Sequence, residues 1–290
     1  MKTDGLFSTH CVQIDVKLNE PFSIIPFGDI HRESCNFADS EWDKFLAYAK
    51  TKKNAYFFGM GDYTDGCSTS ERMTLLKGEL HDTTKETLRG VYRGVTASLA
   101  NELKFMRGRI IGMLGGNHFY AMENGENTDH ILAHALGARY LGVCGLVRLN
   151  VTLEGNKKKA LHIDIFAHHG KRGGKTIGSS FNSIDDMQRV ADADPYLMGH
   201  THGKGAVASH PRMRIAKLSP ATGAPIIRAR TPYLGRTGSF LKTYEAGRKA
   251  YGVDALYPAC SLGVIEFEYT LRRSRTDGDD EMYLDVRAMS

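Results

Sequence analysis

Five short apolar runs in this chain each end on an Asp, Asn or His beside glycine. That repetition constrains the fold more than any other feature of the sequence. PFSIIPF leads into Gly28-Asp29-Ile30-His31, AYFFGM into Gly61-Asp62-Tyr63-Thr64-Asp65-Gly66, and RIIGML into Gly115-Gly116-Asn117-His118. LHIDIFA leads into His168-His169-Gly170, and PYLM into Gly199-His200-Thr201-His202. Such runs, rich in β-branched and aromatic residues, read as strands. In an open α/β sheet the carboxyl ends of the strands are the edge where ligands bind. A chain that places ligating side chains there five times is expected to gather them at one edge.

Helical periodicity fills the intervals. DSEWDKFLAYAK has Asp39 or Ser40 as its N-cap and apolar residues at helical spacing. Residues 71–107 hold the longest helical pattern, NTDHILAHALG at 127–137 a shorter one, and SIDDMQRVADA at 183–193 one with Ser183 as N-cap. Strand, loop and helix alternate through the first 200 residues, which means a layered α/β domain. No repeat or linker divides the chain, so residues 1–290 are read as one domain. The helical segment at about 68–108 has three readings: a cap over the site, a contact surface, or a plain outer layer. Residues 209–290 are β-rich, with 262–273 and 282–289 alternating like two antiparallel strands.

Composition excludes several classes. No apolar run approaches the ~18–20 residues a bilayer requires, and the first 20 residues lack a secretory apolar stretch. The five cysteines are scattered and never in a CxxC pair, which fits reduced thiols in a cytoplasm better than a disulfide framework or a zinc ribbon. The formal charge of +5 is consistent with an anionic substrate, as it is with many enzymes of neutral substrates. Arg228, Arg230 and Arg236 around Tyr233 could form a basic surface for base stacking, although a solvated β region is the plainer reading.

The residue types point to a metal. Carboxylate, imidazole and amide oxygen, with no thiolate, suit manganese, iron or zinc. Asp29-x-His31 and His200-x-His202 each put two side chains on one side of an extended segment. With Asp62, Asn117 and His168 they make seven donors, too many for one ion and suited to two that share a carboxylate. Two such ions can clamp the attacking and leaving oxygens of a phosphoryl displacement.

In this order, D-x-H, G-D-x-x-D, G-N-H, a further H and G-H-x-H resemble the calcineurin-like metallophosphoesterases, over residues 28–203. The resemblance implies an αββα sandwich of four layers with a dinuclear site at the loop edge of its sheets. It implies one metal held by Asp29, His31, Asp62 and His202, and a second by Asp62, Asn117, His168 and His200, with Asp62 bridging. The ions would be manganese, with iron, zinc, nickel or magnesium as alternatives. A metal-activated hydroxide would attack phosphorus, His118 would protonate the leaving oxygen, and Asp65 would hold His118. His168 is taken as the ligand because it stands closest to the strand. His169 is left to contact substrate or a ligand, and whether it is itself a ligand stays open. Lys171 and Arg172 in the same loop are candidates for a substrate phosphate, and a solvated loop is the competing reading.

Two departures bear on substrate. Phe119 stands where the family often has an acid after G-N-H. Gly66 stands where the protein-phosphatase branch has a phosphate-gripping arginine. KRGGKTIGSSFN and GRTGSF resemble segments of phage members of the family. The expected activity is a phosphodiesterase on nucleic acid or nucleotides, including DNA exo- or endonuclease action. The alternatives are a phosphomonoesterase, a small cyclic or bis-nucleotide hydrolase, or a non-catalytic metal-binding scaffold.

Overall fold

Two sheets share the five strands read from the sequence, as an αββα sandwich requires. A computed structural model describes residues 5–68, 72, 80–122, 124–171, 176–219, 222–247, 253, 256–276 and 279–290. The strands are β1 (Ser8–Val16), β2 (Pro21–Phe27), β3 (Ala55–Gly59), β4 (Ile110–Met113), β5 (Cys144–Leu153), β6 (Asn156–His168), β7 (Tyr196–Met198), β8 (Lys204–Ala208), β9 (Arg212–Leu218), β10 (Pro225–Arg230), β11 (Tyr233–Ser239), β12 (Gly263–Val264), β13 (Glu266–Thr276) and β14 (Asp279–Met289). The helices are α1 (Asp39–Thr51), α2 (Asp82–Leu103), α3 (Thr128–Ala135) and α4 (Ile177–Asp185).

One sheet runs in the order β14-β13-β2-β3-β4, and the other β1-β5-β6-β7-β11-β12 with β8 paired to β11. β2, β3 and β4 are mutually parallel, and a parallel strand covered on both faces reads as a continuous apolar run. Phe22 and Ile24 of β2 face the other sheet, while Ile25 and Phe27 face helices. The inner core interleaves those residues with Val147, Leu149 and Val151 of β5 and Ile163, Ile165 and Ala167 of β6. Each of the larger of these side chains, fully buried, contributes roughly 1.5–3 kcal/mol.

Helices cover both outer faces. Trp42, Phe45 and Ala49 of α1, Leu99 and Leu103 of α2, and Leu132 and Ala133 of α3 pack on the five-stranded sheet. Ile184 of α4 packs on Phe166, Tyr196 and Met198 of the other. The result is the four-layer αββα sandwich expected. The buried residues of α2 are Thr96, Leu99, Ala100 and Leu103, so its second half is outer layer. Residues 69–71 and 73–79, where a cap was considered, lie outside the described residues.

Two helix starts differ from expectation. The cap of α1 is Ala38, with no side-chain hydrogen bond, and Asp39 lies in the first turn. α4 is capped by Thr176 in a capping box: the Thr176 hydroxyl accepts the Ser179 amide and the Ser179 hydroxyl accepts the Thr176 amide. Ser183 is interior to that helix, its hydroxyl donating to the Ser179 carbonyl at 3.3 Å. The acidic run after Ser183 imitates a first turn, but it lies at the end of α4 and in the short 3-10 turn Asp186–Arg189. The C-terminal hairpin forms as expected, with Phe267 opposite Ala288 and Leu271 opposite Leu284.

Candidate metal centre

The five motif loops converge at one end of the sandwich. Left-handed backbone is the device that turns their side chains inward. Asp29, His31, Asp62, His200 and His202 have φ of 45, 50, 49, 62 and 54°. The expectation that D-x-H and H-x-H lie on extended segments is therefore corrected: each curls rather than alternates. Such backbone costs non-glycine residues of order 1–3 kcal/mol each and persists only where surrounding contacts enforce it. Here they do. The Asp62 carbonyl accepts from the amides of Ile30 (2.8 Å) and His31 (3.0 Å), and the Asp29 amide donates to the Gly61 carbonyl (2.9 Å). The Asp29 carbonyl accepts from the amide of Phe240 at 3.0 Å and from the hydroxyl of Ser239 at 2.9 Å, both in or just after β11.

The donors fall into neighbouring groups. Asp29, His31 and His202 form one, Asp62, His169 and His200 a second, and His31, Asp62 and His118 a third, with ligand atoms in each within 4.8 Å of one another. Asp62 faces both ways. Its Oδ1 accepts the amides of Asn117 and His118, each at 2.7 Å, leaving Oδ2 at 3.3 Å from His169 Nε2 and 3.7 Å from His31 Nε2. The Asp29 carboxylate accepts the His200 amide at 2.9 Å and stands 3.5 Å from His202 Nε2. Ring nitrogens of His31 and His202 face each other at 3.3 Å.

The expected ligand His168 is not in the cluster; His169 is. β6 alternates, with Ile163, Ile165 and Ala167 inward and Phe166 outward. His168 follows Phe166 to the outer side, where its Nδ1 accepts the Gly170 amide at 2.8 Å. His169 continues the inward set and is 2% exposed. Its Nδ1–H donates to the Met60 carbonyl at 2.8 Å, aiming Nε2 at Asn117 Oδ1 (3.0 Å) and Asp62. Counting in twos from Ile163 would have found it. Lys171 is exposed and its charge helps to lower His168; Arg172 lies outside the described residues.

Asp65 and His118 also meet. Asp65 Oδ1 lies 3.2 Å from His31 Nδ1 and 3.5 Å from His118 Nδ1. Arg228, Arg230 and Arg236 are each engaged by a separate partner. Arg228 forks onto Glu281, Arg230 pairs with Asp192 at 3.3 Å, and Arg236 tucks over the Phe181 ring at 5.7 Å. His130 leans on Tyr140 and belongs to no ligand group among the described residues. Sequence reasoning missed Asp129, which accepts the Gly116 amide at 2.8 Å, and Arg72, which bonds the Asn117 carbonyl at 2.8 Å. Neither lies in a motif.

The electrostatics are those of a site short of positive charge. Burial pushes Asp29 up from the ordinary carboxylate range. Burial would raise Asp62 too, but His169, His31 and His118 overcome it and hold that carboxyl well below its usual range. Asp65 is held down in the same way by His118 and His31. Burial would lower His169, but Asp62 and Asp29 carry it up to about 9. Burial and neighbouring imidazoles push His200 down to about 4 and His202 well below the usual value. Among the described residues no lysine or arginine pairs with Asp29 or Asp62; histidines alone do.

No family model matches the sequence, and no curated protein is significantly similar to it. Solved structures do show likeness. Vps29 complexed with zinc from Entamoeba histolytica aligns over 91% of this chain and 99% of its own, at 12% identity and TM-score 0.39. A candidate 5′-nucleotidase from Staphylococcus aureus aligns over 93% of this chain and 54% of its own, at 9% identity and TM-score 0.43. A conserved Streptococcus pneumoniae protein, named as a predicted phosphoesterase, aligns over 92% and 99%, at 14% identity and TM-score 0.30. Chemistry at this site rests on its own geometry. Among the described residues no helix is long and apolar enough to cross a membrane.

Proposed function

We propose that this chain is a two-metal phosphoesterase of the calcineurin-like type, acting on phosphodiesters of nucleic acid or nucleotides. The observation that carries the reading is two adjacent donor groups, Asp29/His31/His202 and Asp62/His169/His200, with Asp62 facing both and the Asp65–His118 pair beside them. The donors fit a pair of divalent ions. They are carboxylate, imidazole and amide oxygen, Asp29 and Asp62 are buried with no lysine or arginine paired to them among the described residues, and two imidazoles are held neutral. Asp29, His31, Asp62 and His202 would hold one ion, and Asp62, Asn117, His169 and His200 the other.

Two divalent ions, manganese foremost, supply Lewis acidity there, lowering the pKa of water and neutralising phosphoryl charge. The chain's own residues do the rest. The Met60 carbonyl fixes the His169 ring, and Asp65 fixes the His31 ring, so that each presents Nε2 inward. Asp65 also stands at His118 Nδ1 and stabilises positive charge on that ring. His118 Nε2 is left to deliver its proton to the leaving oxygen. The preference for diesters is supported by glycine, not arginine, at position 66.

The test is a substrate panel with Mn²⁺: bis-p-nitrophenyl phosphate, p-nitrophenyl phosphate, and linear single- and double-stranded DNA, alongside elemental analysis. Turnover of the diesters, with two ions per chain, is expected. Monoester turnover alone would move the assignment to a phosphomonoesterase. Diester cleavage that spares DNA would point to small nucleotides, and two bound ions without any turnover would leave a scaffold.

A further inference from the structure

Position 66 is closed to any side chain. A Cβ there would lie 2.7 Å from both Cα and the carbonyl carbon of Phe119 and 2.9 Å from the Tyr120 amide nitrogen. The loop carrying Asn117 and His118 rests directly on the backbone of the loop carrying Asp62 and Asp65. Contact alone does not fix one loop against the other, and Arg72 bridges them. Its Nη1 donates to the Cys67 carbonyl in the first loop, and to the carbonyls of Asn117 at 2.8 Å and Phe119 at 3.3 Å in the second. Those last two carbonyls flank His118 on either side. The guanidinium carbon sits 3.8 Å from the centroid of the Phe119 ring, and the Arg72 amide is anchored to the Ser68 carbonyl at 2.9 Å. A planar, multiply donating group that stacks and donates at once is a role lysine cannot fill.

We infer that Arg72 is a positioning residue that clamps the His118 loop to the Asp65 loop and so sets His118 against Asp65 for protonation of the leaving group. The inference rests on the phosphoesterase reading for its consequence, and on the two loops alone for its geometry. It also gives Phe119 a purpose: an aromatic at that position is the platform on which the guanidinium lies.

The experiment compares R72A, R72K and H118A with the wild-type chain, each loaded with Mn²⁺ and checked for metal content. One substrate, bis-p-nitrophenyl phosphate, has a leaving group that needs little protonation. The other, a thymidine dinucleotide, has an alkoxide that needs it. R72A is expected to keep both ions and to lose ~10- to 100-fold in kcat on the dinucleotide. It should lose much less on the nitrophenyl diester and leave KM nearly unchanged, the same pattern as H118A. R72K should behave like R72A, since a cation without the planar fork cannot clamp. Hydrogen exchange, read on the peptide spanning residues 115–120, should speed up in both Arg72 variants. Equal losses on the two substrates, or wild-type behaviour of R72K, would overturn the inference. If the wild-type chain turned over neither substrate, the phosphoesterase reading would fall, and hydrogen exchange would still decide: unchanged protection sinks the clamp, faster exchange sustains it.

Discussion

Asp129 is fully buried, in the first turn of α3, and among the described residues the Gly116 amide alone donates to it. Burial, reinforced by the charge of Asp62 and opposed by the Gly116 hydrogen bond, pushes its carboxyl up to about 7. The sign of the consequence follows from linkage. An acid whose folded pKa exceeds its unfolded value stabilises the fold fully below the unfolded value, near 4. That contribution is lost as pH rises towards 7. Asp129→Asn keeps an oxygen for Gly116 and carries no charge. Its melting temperature is therefore expected to match wild type near pH 4 and to exceed it increasingly up to pH 8, by the equivalent of a few kcal/mol. Parallel curves for the two proteins across that range would refute the account. The left-handed φ values are residue-scale facts of the same kind. The motif glycines announced tight backbone, but not that Asp29, His31, Asp62, His200 and His202 would bear the strain themselves.

At the scale of elements, the end of β6 shows what strand parity does. Two consecutive histidines leave a strand on opposite faces, and only one can reach a site between the sheets. His169→Ala is expected to weaken binding of one ion by at least ~10-fold, whereas His168→Ala should leave two-ion stoichiometry unchanged. Isothermal titration with Mn²⁺ distinguishes them, and the reverse result would restore His168 as the ligand. Strands with dense apolar runs, β2, β3, β4 and β7, were legible because burial on both faces leaves an unmistakable signature. β1 and β5 were not read; they pair along their whole length, Ser8 opposite Gly145 to Val16 opposite Leu153, a match no local pattern announces. β8 to β12 are short and interrupted by Gly, Pro and Arg, and β11 joins β7 across some 35 residues of chain. The start of α4 is hidden in the sequence because a polar run inside and beyond it imitates a helix start.

At the scale of the whole molecule, the two sheets meet at a cluster whose carboxylates, among the described residues, are paired by histidine alone. Metal binding should therefore be folding energy. At a free-ion concentration 100 times Kd, a ligand specific for the native state adds about 2.7 kcal/mol. For a chain of this size that is worth roughly 4–5 °C in Tm. Removing ions with a chelator should lower Tm by about that much, and Mn²⁺ should restore it in a concentration-dependent way; a Tm indifferent to both would mean that no ion is held there. The sequence by itself determined the class of the fold, the order of the motif loops and the donor chemistry. Residue type and apolar run length are local quantities, and those conclusions need nothing else. Only the tertiary structure decided which of two adjacent histidines faces inward, and that Asp129 and Arg72 support the motif loops. Those outcomes depend on pairing, parity and packing between segments far apart in the chain, and no local pattern encodes them.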